Sequence, residues 1–194
     1  NNKSYVNENG VYVTNQWIGD YYVNGSGVKV TNAWVGSYWC ESDGKYAKSK
    51  WVDNDKSYVN QYGNYVTNQW IGDYYLNGSG VKVTNAWVGS YWCGNDGKYM
   101  KSSWVDNNKY YVGANGIYVT NQWVEDHYLN GAGLVTRNAW VGDYYLNGNG
   151  DIAKNTWAGS YWCGEDGKYV KNAWVDNNKS YVNENGVYVT NQWI

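Results

Sequence analysis

Tryptophan recurs along this chain of 194 residues at nearly constant spacing, and that spacing limits the possible folds more than any other feature. Neighbouring members of the series lie 17 or 19 residues apart. The series comprises Trp17, Trp34, Trp51, Trp70, Trp87, Trp104, Trp123, Trp140, Trp157, Trp174 and Trp193. Self-similarity at a fixed period is the signature of a tandem repeat. The chain is therefore expected to fold as copies of one small unit.

Three types of unit alternate along the chain, and each begins at a Trp. Type A reads WIGDYYLNGSGVKVTNA (70–86), type B reads WVGSYWCGNDGKYMKSS (87–103) and type C reads WVDNNKYYVGANGIYVTNQ (104–122). The order A, B, C makes a super-repeat of 53 residues, which an additional A-like unit at 140–156 interrupts once. The units start at Trp17, Trp34, Trp51, Trp70, Trp87, Trp104, Trp123, Trp140, Trp157 and Trp174.

Each unit has the pattern of a β-hairpin followed by a short linker that carries the Trp. Aromatic and β-branched runs such as YYV and VKV flank Gly-rich turns such as NGSG,. The last Gly of the turn recurs in every unit, which predicts a backbone conformation that only Gly adopts at low cost. These residues are Gly10, Gly27, Gly44, Gly63, Gly80, Gly97, Gly116, Gly133, Gly150, Gly167 and Gly186.

A lone two-stranded hairpin is marginal in water, so the hairpins are expected to stack and share aromatic faces. The predicted fold is all-β, an elongated solenoid of tandem β-hairpin repeats of 17–19 residues each. Residues 1–18 are identical to residues 177–194. This identity predicts that 1–194 is a single repeat-array module, a fragment of a longer array.

Charge and hydropathy exclude several classes of partner. The formal net charge is −2, and acidic and basic residues are interspersed. Nucleic acid binding is not expected, because neutralising phosphates requires clustered Lys and Arg. Membrane insertion is not expected either, because no apolar run reaches about 18 residues. No C-x-x-C motif or His cluster indicates a metal, and the chain is expected to need no cofactor.

The repeat resembles the cell-wall-binding repeat superfamily. The matching residues are an aromatic pair, a small turn with Gly and a Thr-x-x-Trp ending, seen here as Tyr74-Tyr75, Gly80 and Thr84-Asn85-Ala86-Trp87. The superfamily includes choline-binding repeats of Gram-positive surface proteins, glucan-binding repeats of glucansucrases and clostridial toxin repeats. The resemblance implies a hairpin solenoid with about three hairpins per superhelical turn. It also implies ligand sites between successive hairpins.

One position departs from the choline-type pattern, which carries Trp-Tyr-Tyr in the first strand. Asp replaces that Trp in type A units, Ser replaces it in type B and Lys in type C. The residues are Asp20, Asp73, Asp143, Ser37, Ser90, Ser160, Lys56, Lys109 and Lys179. The glucan-binding repeats also lack this Trp and are the closer match in the sequence.

Type B units are the predicted binding hairpins, because they alone carry Trp as the second aromatic residue of the first strand. Trp39, Trp92 and Trp162 are expected to enlarge a pocket beside Trp51, Trp104 and Trp174. The Trp that opens each type B unit and a Tyr in its second strand complete the set. These residues are Trp34, Trp87, Trp157, Tyr46, Tyr99 and Tyr169. Packing alone is the alternative role of every one of these rings.

Cys40, Cys93 and Cys163 attract attention because they follow a Trp and precede a turn. The equivalent position in the other units holds only Val or Leu, so we expect the Cys side chains to be small buried apolar groups,. A disulfide is not expected, because like units lie a whole superhelical turn apart. His127 stands where other units have Tyr, and the Asp and Glu residues lie in turns. No catalytic set is predicted.

The sequence therefore predicts a non-catalytic carbohydrate-binding module of a bacterial surface or secreted protein. Sugar rings of a glucan or cell-wall polymer would stack on Trp and Tyr, and many weak sites would provide avidity. A structural spacer or adhesive stalk without a ligand is one alternative. Choline on teichoic acid, bound by cation–π contacts, is another. The expected location is extracellular, either secreted or associated with the cell wall, and self-association stays open.

Overall fold

A computed structural model describes residues 4–194, and all regular structure in this range is β-strand. The chain forms two compact units, one that ends at Tyr99 and one that comprises Met100–Ile194. Each unit is a series of two-stranded antiparallel sheets, and each sheet is one hairpin. The predicted all-β fold of tandem hairpins is confirmed. No helix within residues 4–194 has the length and apolar character to span a lipid bilayer.

Every strand is three residues long, and consecutive strands pair as hairpins. The first unit contains β1 (Gln16–Ile18), β2 (Tyr21–Val23), β3 (Ala33–Val35), β4 (Tyr38–Cys40), β5 (Lys50–Val52), β6 (Ser57–Val59), β7 (Gln69–Ile71), β8 (Tyr74–Leu76), β9 (Ala86–Val88) and β10 (Tyr91–Cys93). The second unit contains β11 (Ser103–Val105), β12 (Tyr110–Val112), β13 (Gln122–Val124), β14 (His127–Leu129), β15 (Ala139–Val141), β16 (Tyr144–Leu146), β17 (Thr156–Ala158), β18 (Tyr161–Cys163), β19 (Ala173–Val175) and β20 (Ser180–Val182).

The regular hairpin lies one turn earlier in each unit than the sequence pattern predicts. Trp17 is the central residue of β1 and pairs directly with Tyr22 of β2. The two strands are joined by Gly19 and Asp20, and Gly19 has a φ of 61°. Gly at the first position of a two-residue turn is typical of tight hairpins. The prediction that the Trp lies in a linker is therefore wrong, because the Trp lies in the first strand of the hairpin.

The Gly-rich loop forms a second, looser turn after the hairpin. In the first copy, the side-chain oxygen of Asn24 accepts hydrogen bonds from the backbone of Ser26 and Val28, and the Gly27 N–H donates to the Asn24 carbonyl. Gly27 has a φ of 71°, and the last Gly of this loop has a positive φ in every copy. The conformation predicted for these glycines is confirmed.

Type C units are two residues longer because their hairpin turn is longer. In the first of them, Asp53, Asn54 and Asp55 all have φ between 52° and 60°. Asp and Asn tolerate this left-handed region better than most residues. The Lys56 N–H donates to the Asp53 carbonyl and closes the turn. The 19-residue spacing in the sequence is thus a turn insertion, and the hairpin itself is unchanged.

The core of each unit is built from the last residue of every second strand. Val23 is 3% exposed, and the later residues of this series, from Cys40 to Val182, are fully buried. All three Cys are free and lie in this series, so their predicted role as small apolar groups is confirmed. Burial raises the pKa of the Cys40 thiol, and a hydrogen bond to the Tyr22 backbone offsets this rise in part. A buried thiol with a raised pKa forms little thiolate and is a poor nucleophile.

Successive hairpins within a unit are joined by backbone hydrogen bonds in a fixed register. Tyr46, after the Gly-rich loop of one repeat, bridges Cys40 of its own hairpin. Its N–H also donates to the carbonyl of Asp20, in the turn of the preceding hairpin. Tyr99 bonds to Asp73 and Tyr169 to Asp143 in the same way. This register brings the residue after the loop beside the Trp of the hairpin before it.

Candidate functional site

Three clusters of aromatic rings occur where a type A hairpin is followed by a type B hairpin. Each contains the Trp of the type A hairpin and two Tyr of the type B repeat. We call them cage 1 (Trp17, Tyr38, Tyr46), cage 2 (Trp70, Tyr91, Tyr99) and cage 3 (Trp140, Tyr161, Tyr169). Cages 1 and 2 lie in the first unit, and cage 3 lies in the second.

The three rings of each cage meet pairwise and almost at right angles. In cage 1 the Trp17 centroid lies 5.2 Å from Tyr38 and 5.6 Å from Tyr46, and the two Tyr centroids are 5.4 Å apart. In cage 2 the corresponding distances are 5.5, 5.6 and 5.4 Å, and in cage 3 they are 5.4, 5.7 and 5.7 Å. All interplanar angles lie between 70° and 83°. The ring faces therefore converge from three directions.

Each wall of a cage occupies a defined place in the repeat. The first wall is the Trp at the centre of a hairpin's first strand, and the second is the Tyr that opens the second strand of the next hairpin. The third wall follows the Gly-rich loop and bridges the buried residue of its own hairpin, as Tyr46 bridges Cys40. We call this place the third-wall position.

The cages are open to solvent, and their rings are only partly buried. A cavity of about 190 Å³ is lined by Trp70, Gly72, Tyr91 and Tyr99. Its equivalent at cage 3 has a volume of about 250 Å³ and also includes Asn185. A small ligand can reach the ring faces without any rearrangement of the backbone.

Lysines lie against the third wall in cages 1 and 3. The Lys48 ammonium is 4.4 Å from the Tyr46 ring centroid, and Lys171 is 4.8 Å from Tyr169. The hydrogen bond with Tyr46 is the main cause of the raised pKa of Lys48, to which Asp20 at 3.9 Å adds a smaller contribution. The π-systems of these walls already attract cations in the folded chain.

At the other junctions that lie within one unit, fewer aromatic walls are present, because the second or third residue differs. Trp34 meets Tyr65 at 6.0 Å, and Ser57 takes the place of the second wall in a cavity that also includes Asp53. Trp123 meets Tyr144 at 5.4 Å, and Ile152 occupies the third-wall position.

Two further junctions place an ionisable side chain among the rings. At Trp104 the second wall is His127, 5.2 Å away, and the His127 Nε2 atom lies 3.2 Å from Asp151 Oδ1. At Trp51 the second wall is Tyr74, and Lys82 occupies the third-wall position. The predicted interpretation of His127 as a substitution in a repeat position agrees with this placement.

The Trp residues selected from the sequence lie in pairs within single hairpins. Trp39, Trp92 and Trp162 face Trp34, Trp87 and Trp157 across the two strands, with ring centroids 5.3 Å apart in each pair. Trp39 and Trp34 also pack against the core cluster of Ala47, Val52 and Val59. The pocket beside Trp51 is built instead from Tyr74 and Lys82. Trp104 contacts Tyr111 and His127, and Trp174 contacts Tyr181.

Sequence reasoning selected only the third walls of the cages, Tyr46, Tyr99 and Tyr169. It did not select the first walls or the second walls. The missed residues are Trp17, Trp70, Trp140, Tyr38, Tyr91 and Tyr161. An alignment of the second residue after the last Gly of each loop would have distinguished the junctions from one another. This position holds Tyr, Lys or an aliphatic residue in different units.

Ionisable side chains do not gather into a metal site. Within residues 4–194, no group of three or more His, Cys, Asp or Glu side chains is arranged to hold a metal ion. The functional chemistry that the described residues offer is therefore that of aromatic faces with hydroxyl, amide and carboxylate groups at their edges.

Comparison with known proteins gives matches along most of the chain. The choline-binding repeat pattern matches residues 28–65, 64–99, 81–118, 134–169 and 151–188. Comparison with curated protein sequences gives no match.

Among solved structures, the chain is similar to the choline-binding domain of CbpL from Streptococcus pneumoniae, with 34% identity over 97% of both chains and a TM-score of 0.52. It is also similar to the modular autolysin LytC of the same species, with 25% identity, 95% of this chain covered and a TM-score of 0.64. The match covers 50% of LytC, so the chain spans about half the length of that protein. The repeat pattern and the similarity to CbpL together show that this chain belongs to the choline-binding repeat family.

Proposed function

We propose that the chain is a binding module that attaches its protein to a bacterial surface by holding quaternary ammonium groups, such as choline, in cages 1, 2 and 3. The observation that carries this proposal is the convergence of three ring faces at 5.2–5.7 Å and nearly right angles. A trimethylammonium group is compact and rounded and can touch several π faces at once. A flat sugar ring stacks best on one open face.

The relatives support this ligand and a role at the cell wall. The matched domain of CbpL is a choline-binding domain, and LytC has been solved with a synthetic peptidoglycan ligand. A choline-bearing polymer of the cell wall presents the group that the cages fit. The protein that carries these repeats would accordingly act outside the cell, at the wall.

Binding, and not catalysis, is the role that we assign to these repeats. LytC is an autolysin, but the chain corresponds to about half of it. Three weak sites on one chain suit attachment to a repetitive polymer, because linked sites gain about 10²- to 10⁴-fold in overall affinity without new contacts. Each cage alone needs only a millimolar affinity.

A second candidate ligand is a sugar at the junction of Trp34 and Tyr65. Ser57 stands there in place of a second aromatic wall, and Asp53 and Ser79 line the same cavity of about 230 Å³. One open Trp face with a carboxylate and two hydroxyl groups beside it suits a ring that carries several hydroxyls. This junction therefore suits the sugar ligand expected from the sequence better than the cages do.

Calorimetric titration of the intact chain with choline tests the main proposal. We expect one choline molecule to bind at each of cages 1, 2 and 3. The neutral isostere 3,3-dimethylbutan-1-ol has the same shape without the charge, and we expect it to bind far more weakly because the cation–π attraction is lost. Equal binding of both compounds, or no binding of choline at millimolar concentration, would refute the proposal. In the presence of saturating choline, isomaltooligosaccharides should still quench Trp fluorescence if the Trp34 junction binds sugar.

A further inference from the structure

The junction between the type C hairpin at Trp51 and the type A hairpin after it has two aromatic walls like those of a cage. The centroids of Trp51 and Tyr74 are 5.2 Å apart and their planes meet at 71°. In cage 1 the corresponding pair, Trp17 and Tyr38, gives 5.2 Å and 70°. The first and second walls of the two sites are therefore interchangeable in geometry.

Lys82 stands at the third-wall position of this junction. It bridges Leu76, as Tyr99 bridges Cys93 in cage 2. Its N–H donates to the carbonyl of Lys56, in the preceding hairpin turn, at 2.7 Å. The backbone of Lys82 is therefore held in the same register as the third wall of a complete cage, and only the side chain differs.

The Lys82 side chain turns back over the two rings. Its ammonium nitrogen lies 4.7 Å from the Tyr74 centroid and 5.4 Å from the Trp51 centroid. Both distances are within the range of a cation–π contact. Lys82, which replaces the third wall, thus places its own ammonium group against the rings of Trp51 and Tyr74.

We propose that Lys82 is an internal cation that fills the junction of Trp51 and Tyr74 and closes it to external quaternary ammonium ligands. This inference rests on the proposed function of the cages. The tethered ammonium competes for the ring faces at high effective concentration, and it repels a second cation at the same place. Where the first two walls are Trp and Tyr, the identity of the third-wall residue therefore decides whether the junction binds: Tyr completes a ligand site, and Lys seals it.

A second copy of the same arrangement supports this interpretation. Lys29 occupies the equivalent position in the first described repeat, and its ammonium lies 5.0 Å from the Tyr21 centroid. In both copies the Lys stem passes close to the Gly that ends the next loop. A Cβ on Gly97 would lie 2.7 Å from Lys82 Cδ, and one on Gly44 would lie 2.5 Å from Lys29 Cδ. These glycines leave the space that the Lys stem occupies.

Substitution of Lys82 by Tyr tests the proposal by the number of ligands bound. K82Y should bind one choline molecule more than the unmodified chain, because the new ring completes the walls of Trp51 and Tyr74. Tyr fits against a loop Gly at this position, since Tyr46 lies against Gly63 and Tyr169 lies against Gly186 in the same way. K29Y is the matched control: the same change is made beside Tyr21, but no Trp precedes Trp17 in the sequence, so the number of bound choline molecules should not change.

The outcomes separate this inference from the proposed function. If the unmodified chain binds no choline, the proposed function fails. If it binds choline and the folded K82Y variant binds no additional molecule, the role of Lys82 is refuted.

Nuclear magnetic resonance of the unmodified chain tests the contact without any ligand. The Hε protons of Lys82 should be shifted upfield by the two rings relative to those of exposed Lys154, and W51A should reduce the shift. Equal chemical shifts for Lys82 and Lys154 would overturn the proposal.

Discussion

Replacing Trp140 by Ala should abolish strong choline binding at cage 3 and leave cages 1 and 2 unchanged. Trp140 is the first wall of this cage and lies 5.4 Å from Tyr161 and 5.7 Å from Tyr169. A desolvated aromatic face contributes about 2 kcal/mol to binding a cation, which corresponds to an affinity about 30-fold lower when the face is removed. Calorimetric titration should show the stoichiometry fall by one over the concentration range that saturates the unmodified chain.

Trp123 provides a matched control for this experiment. Trp123 and Trp140 lie in the same unit, are each 37% exposed and each contact a Tyr across their own hairpin. Trp123 also meets Tyr144, but Ile152 stands at its third-wall position, so no complete cage is present there. We expect W123A to lower thermal stability about as much as W140A while no choline site is lost. Loss of a site in W123A would mean that two walls suffice and that the three-ring cage is not the binding element.

The fold could be predicted from the sequence because the decisive information is local and repeated. The Trp spacing sets the length of the unit, and the Gly at the end of each loop marks a backbone conformation that few other residues adopt cheaply. The burial of Cys40 followed from its register with Val23 and Val59. The regular hairpin was placed one turn too late, because the NGSG loop is a stronger turn signal than the pair Gly19-Asp20.

The cages could be predicted only in part, because each cage joins two repeats. In cage 1, Tyr38 and Tyr46 lie 21 and 29 residues after Trp17 in the sequence. The hydrogen bond from the Tyr46 N–H to the Asp20 carbonyl brings the three rings together. Reasoning within one repeat selected Trp39, because the other unit types have Tyr at the equivalent position. The structure places that ring opposite Trp34, against the core of its own hairpin. The rare residue type drew attention to one hairpin, while the rings that form each cage are a Trp and two common Tyr residues brought together from two repeats.

Replacing Gly186 by Ala should weaken cage 3, although Gly186 is not one of the three aromatic residues of this cage. Gly186 has a φ of 79°, and a Cβ there would lie 2.5 Å from Cδ2 of Tyr169 and 3.1 Å from the Val170 carbonyl oxygen. Tyr169 would have to swing away from Trp140 and Tyr161, so the third wall would be displaced. We expect G186A to lower the free energy of unfolding by about 2–4 kcal/mol, from the left-handed backbone and the overlap together. Choline binding at cage 3 should be lost, so the stoichiometry should fall by one.

Gly10 separates the backbone cost from the displacement of Tyr169. It lies in a sequence of 18 residues that is repeated identically around Gly186, and its φ is 75°. A Cβ on Gly10 would meet no atom within 4 Å. G10A should therefore lower the free energy of unfolding by only about 1 kcal/mol, from the positive φ, and should not change the number of choline sites. Chemical denaturation and calorimetric titration of the two variants measure both quantities. If both variants lose the same stability and keep the stoichiometry unchanged, the position of Tyr169 does not control the cage. If only G186A loses binding, a loop glycine in one repeat controls the ligand site that this repeat forms with the repeat before it.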